Sequence, residues 1–69
     1  MMLKIFDVVV IVRDMPLFGL IEGMIGTVVE VFTNPADAYE IEFCDKDGKT
    51  IKLCTIEENQ LRDHILLIQ

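Results

Sequence analysis

Basic residues are scarce: six lysines and arginines stand against twelve aspartates and glutamates, a net charge of −6. A surface of that sign repels phosphate backbones over a Debye length of roughly 8 Å, which disfavours nucleic acid as a partner. Histidine occurs once, at His64, and cysteine twice, at Cys44 and Cys54, with no short C-x-x-C pair. A metal centre would have to gather distant ligands, and a cysteine–histidine nucleophile would lack an orienting third group. No catalytic residue, metal ligand or cofactor is therefore expected. The longest apolar run, Val8 to Val12, is too short to cross a bilayer. Asp7 interrupts the apolar start, and no small-residue cleavage site follows Val12, so Met1 to Asp7 does not read as a secretory signal. The cytoplasm is the expected location, with both cysteines reduced.

What the chain does have is apolar side chains, 52% of its 69 residues. A chain this short forms one domain, residues 1–69, and has too little interior to hide that surplus. Apolar surface must remain outside, and a contiguous patch of it would mark a contact with a partner or a second copy.

Ile5 to Val12 is β-branched almost throughout and reads as a first strand. Phe6, Val8, Val10 and Val12 share one face and Asp7, Val9, Ile11 and Arg13 the other. The purely apolar face is expected to point inward, leaving Val9 and Ile11 in need of cover. Arg13 to Met24, broken by Pro16, Gly19 and Gly23, is a long connection of the kind that often carries binding. Ile25 to Thr33 reads as the second strand, with Gly26 marking a bulge or a close backbone approach. Asn34-Pro35-Ala36-Asp37 has turn chemistry.

Tyr39, Ile41 and Phe43 alternate with Glu40, Glu42 and Cys44, and beyond Asp45-Lys46-Asp47-Gly48 the residues Ile51 and Leu53 alternate with Thr50, Lys52 and Cys54. This is a hairpin of two half-buried strands. A three-residue Lys46-Asp47-Gly48 loop sets Phe43 opposite Ile51 and Glu42 opposite Lys52, keeps the apolar side chains on one face and gives Gly48 the left-handed position. Cys44 then faces Thr50 and Cys54 faces Glu40, about 13 Å apart along the ladder, too far for a disulfide. Thr55-Ile56-Glu57-Glu58 has the spacing of a capping box, which predicts a single 3₁₀ turn through Glu57 to Gln60 before a last strand from Leu61 to Ile68. The fold expected is all-β, an SH3-like five-stranded small barrel with a long first loop and one 3₁₀ turn before the last strand.

Met15, Leu17, Phe18, Leu20 and Ile21 give the long loop an apolar character that solvent does not explain. Either the loop plugs an open end of the barrel, or its side chains stay exposed and grip a partner together with Val9 and Ile11. Glu40 and Glu42, with Glu30 nearby, could form an acidic stripe for a basic partner, although a solvated strand face is the plainer reading. Lys46, Lys49 and Lys52 cluster, but Asp45 and Asp47 dilute them.

Asp7-Val8-Val9-Val10 with Asp14-Met15-Pro16, then Gly19-Leu20, Gly23, Gly26 to Val31, Ala38 to Phe43, Asp47-Gly48 and Gln60-Leu61-Arg62 resemble, in order and spacing, the bacterial family called domain of unknown function 4926. The likeness covers Phe6 to Arg62. Met24 stands where the pattern usually reads polar, and Leu17-Phe18 are more apolar than the pattern. The resemblance implies an SH3-like fold, a bacterial cytoplasmic setting, in some cases a gene paired with another small gene, and no catalytic residue. The expected function is a non-catalytic module that binds a protein partner or a second copy of itself. The segment around Gly26 also resembles the glycine-bearing motif of translation-factor barrels that touch RNA, which makes an RNA-contacting barrel the alternative reading. A small accessory subunit of a larger enzyme is a further one.

Overall fold

The computed structural model describes residues 2–45 and 47–69, with the backbone alone at Thr50 and Ile51. The expected inward side chain of Ile51 and the place of Lys46 in its loop lie outside the described residues. Five strands, β1 (Val8–Ile11), β2 (Ile25–Phe32), β3 (Ala38–Cys44), β4 (Thr50–Glu57) and β5 (Ile65–Leu67), form one antiparallel sheet in the order β4-β3-β2-β1-β5. β4 and β5 are its edges, and among the described residues no pairing joins them into a closed barrel. A 3₁₀ turn, Pro16–Phe18, sits in the long first connection.

The turn before β5 is α-helical rather than 3₁₀: α1 (Glu58–Leu61) carries an Arg62 N–H to Glu58 carbonyl bond. Its cap is Glu57, whose N–H donates to Gln60 Oε1 at 3.0 Å, and not Thr55, which remains in β4. Leu61, expected to open the last strand, closes this helix with its side chain fully buried.

The inward face of β1 is the reverse of the one expected. Val9 and Ile11 are fully buried, whereas Phe6 is 77% and Val12 39% exposed, and Val8 and Val10 are half-buried. The cause is a tight turn at Lys4–Asp7, in which Phe6 takes a φ of +75° and the Asp7 N–H donates to the Lys4 carbonyl. That turn removes Phe6 from the strand. Asp7 and Arg13, which made one face look polar, both fall outside Val8–Ile11. The two faces left are equally apolar, and the neighbours decide between them: Val9 pairs with Gly26 and Ile11 with Ile65, both inward positions.

The hairpin loop closes as expected at its tip, with Cys44 opposite Thr50, the Asp45 N–H bonded to the Lys49 carbonyl and Gly48 at φ +83°. A bulge then shifts the ladder by one, setting Phe43 opposite Lys52, Glu42 opposite Leu53, Ile41 opposite Cys54 and Tyr39 opposite Ile56. Leu53, expected inside, is 60% exposed, while Tyr39, Ile41, Phe43 and Ile56 are buried. The reason is the length of β4. It runs on to Glu57, so the inward set must include Ile56, and only the shifted register puts Ile56 inside. Cys54 consequently lies on the core face and Cys44 on the outer face, both as free thiols. Burial raises the pKa of the Cys54 thiol, with Lys52 opposing.

Gly26 marks a close approach, but of side chains rather than backbone, and the bulge in β2 lies between Val28 and Glu30. A Cβ at Gly26 would stand 2.6 Å from Ile41 Cγ2 and 2.7 Å from a Phe43 ring carbon. Gly26→Ala is expected to destabilise the domain by about 1–3 kcal/mol, a fall in melting temperature of roughly 5–20 °C in a thermal unfolding scan. An unchanged melting temperature would contradict this packing.

Candidate functional site

The long loop divides its apolar side chains between two tasks. Met15 and Leu20 exchange backbone hydrogen bonds at 2.8 and 3.1 Å and are 4% and 0% exposed, so they belong to the core. Between them the 3₁₀ turn lifts Leu17 to 83% exposure, with Phe18 half-buried, and Ile21 follows at 57%. Lys52 Nζ donates to the Phe18 carbonyl at 2.9 Å and ties the turn to β4. Burial in the core and exposure are thus both present in the loop, carried by different residues. Of the seven side chains named as contacts, Val9, Ile11, Met15 and Leu20 are buried and offer no surface; Leu17, Phe18 and Ile21 do.

Leu17 and Phe18 line an open groove of about 540 Å³. Asn34 to Ala36, at the cis Asn34–Pro35 peptide between β2 and β3, line it as well. The floor is a single cross-strand row, Phe32–Ala38–Glu57, with Thr55 beside it and Gln60 of α1 at its rim. On the other side of the same turn a smaller hollow of about 210 Å³ lies between Met15, Pro16, Gln60 and His64. The His64 Nδ1 sits 3.1 Å from the Arg13 carbonyl. Among the described residues, no group of three His, Cys, Asp or Glu side chains could hold a metal ion, and no helix is long and apolar enough to cross a membrane.

Next to the groove floor, on the same outer face, lies the row Glu30–Glu40–Thr55. Two carboxylates directly opposite each other on neighbouring strands are unfavourable, and the Glu30 side chain turns back to accept the Val31 N–H at 3.2 Å. Glu42 follows two residues along β3. A second outer surface is apolar: Val10 of β1 is flanked by Ile25 of β2 and Leu66 of β5, which are 42% and 58% exposed, with Val12 and Ile68 close by. Sequence reasoning missed Phe32, Ala38, Glu57 and Gln60 as groove residues because nothing local links them. The strand parity that sends Glu40 outward, carried one step to Ala38 and across to its partners, would have found three of the four.

The family model of a domain of unknown function, DUF4926, matches residues 5–63. The chain belongs to that family. No curated protein matches it, and no solved structure does.

Tyr39, buried at the far end of β3, links three parts of the domain. Its hydroxyl accepts the Leu3 N–H at 3.2 Å and donates to Glu58 of α1. Burial first, then the bond to Glu58, raises the Tyr39 pKa above its ordinary 10.0, and the same bond holds Glu58 below its ordinary 4.5. The phenol's contribution to stability is therefore complete below pH 10.0 and is lost as pH rises through the folded-state value. That of Glu58 is complete above pH 4.5 and is lost as pH falls through its lowered value. Since Tyr39 is the single tyrosine, phenolate absorbance should titrate above pH 10.0 in the folded protein. Tyr39→Phe should reduce the alkaline loss of stability, leaving the part that belongs to Cys54, and weaken the acid one; unchanged limbs in both directions would exclude this bond.

Proposed function

We propose that this chain is an SH3-like small barrel acting as a non-catalytic protein-interaction module, with the groove between the Leu17–Phe18 turn and the Phe32–Ala38–Glu57 row as its binding site. The observation that carries the reading is the exposure of Leu17 at the lip of that groove while its neighbours Met15 and Leu20 are spent on the core. A side chain 83% exposed contributes little to folding, so its apolar character is free for contact. The strand order and the helical turn between β4 and β5 support the SH3-like description. The family resemblance supports a bacterial cytoplasmic setting and a companion encoded nearby. An RNA-contacting role is disfavoured by the outward carboxylates of β2, β3 and β4. An accessory subunit of a larger enzyme would use the same groove and would be told apart by co-purification from the native host.

Leu17→Ser should leave the melting temperature within about 4 °C of the native value, whereas Leu20→Ser should lower it by about 10 °C or more. Immobilised native protein should retain from host lysate a protein that the Leu17→Ser bait does not retain. Equal retention by both baits would remove the groove from the reading.

A specific observation favours self-association as a second reading. The Ile25–Val10–Leu66 row is free of charge in a chain of net charge −6, so two copies could pack sheet against sheet there without juxtaposing carboxylates. Sedimentation should then show a dimer that Val10→Glu and Leu66→Glu both convert to monomer. A native protein that sediments as a monomer at high concentration would dismiss this contact.

A further inference from the structure

We infer that the segment taken by the groove is extended and basic, with a lysine or arginine two residues from an apolar anchor. This rests on the groove being the binding site and goes on to name the chemistry of its occupant.

The floor and the acidic row beside it are two steps of the same strands. Ala38 and Glu40 are i and i+2 on β3, as are Phe32 and Glu30 on β2 and Glu57 and Thr55 on β4. Such pairs stand about 6.7 Å apart on one face of a strand. An extended ligand running along the strands repeats its own side chains at that same interval. An apolar side chain seated between Phe18 and Pro35, over Phe32 and Ala38, thus puts the side chain two positions away directly above Glu40 and Glu30. A cation at that point relieves an unfavourable like-charge pair already built into the sheet. Glu57, in the floor itself, supplies a third carboxylate for a basic residue beside the anchor.

Other occupants fit less well. An acidic or phosphate-bearing partner meets carboxylates on its approach, and a second copy brings the same acidic row with it. A groove of about 540 Å³ has room for a few residues of a chain rather than for a folded surface.

The test is selection of a phage-displayed random dodecapeptide library on the immobilised full chain at low salt. The expected consensus carries Lys or Arg two positions from Leu, Ile or Phe. The consensus peptide, synthesised and fluorescently labelled, should bind Glu40→Gln about fivefold more weakly than native protein, and should weaken further as salt rises from about 0.05 M to about 0.3 M. Leu17→Ser should weaken it too. Glu40→Gln should melt no lower than native protein, since it removes a repulsion, which keeps loss of binding distinct from loss of fold. A neutral or acidic consensus that still depends on Leu17 would overturn the basic occupant while leaving the groove in place. A peptide that binds equally well after its apolar anchor is replaced by Ser would reduce the effect to charge alone and overturn the proposal. No enrichment, or binding indifferent to Leu17→Ser, would overturn both readings.

Discussion

The contact between Phe43 and the bare backbone of Gly26 is the constraint on which the rest of the domain depends. Gly26 pairs with Val9 on one side and Phe43 on the other, so the row Val9–Gly26–Phe43 crosses the middle of the sheet. Because no side chain stands at its centre, the Phe43 ring and the Ile41 methyl can fall across it and make the core continuous. That row fixes which residues of β1 and β3 point inward. The inward set of β4 is decided separately, by the bulge beside Phe43 that brings Ile56 inside.

Two different outer surfaces follow from this one choice of interior. At the β1–β5 end the outward residues are aliphatic; at the far end of β2, β3 and β4 they are glutamates bordering a groove. The long loop joins these regions by sending Met15 and Leu20 into the core and Leu17 out of it. Apolar content that composition alone presents as a surplus is thus divided among the interior, the β1–β2–β5 face and the groove lip, with Phe6 and Leu53 exposed apart from all three. Glu30 and Glu40 break the pairing preference of neighbouring strands.

Much of this was legible from residue order. The alternation of Tyr39, Ile41 and Phe43 with Glu40, Glu42 and Cys44 gave the orientation of β3 correctly, and Gly48 gave the geometry of the hairpin tip. The failures came where a local signal competed with a distant one. Asp7 and Arg13 marked a polar face that β1 does not have, because both lie beyond its ends. Thr55 and Glu58 have the spacing of a cap, yet the pairing of β3 with β4 carries the strand past Thr55 and hands capping to Glu57 and Gln60. The bulge opposite Phe43 has no signature of its own; it exists because the three-residue loop and the burial of Ile56 demand registers one residue apart. Of the candidate site, the loop residues were visible and the floor was not, since it is assembled from three strands.

That bulge has a consequence for the fate of the protein at high concentration. An edge strand with a regular row of unsatisfied amides is a template for fibril growth, and this chain is greasy enough to be at risk. At one margin the ladder is broken near Phe43 and a lysine follows immediately; at the other, β5 is only three residues long. β5 therefore offers an incoming strand only three residues, and at β4 the bulge confines the even stretch to Lys52–Glu57, with a lysine at its start.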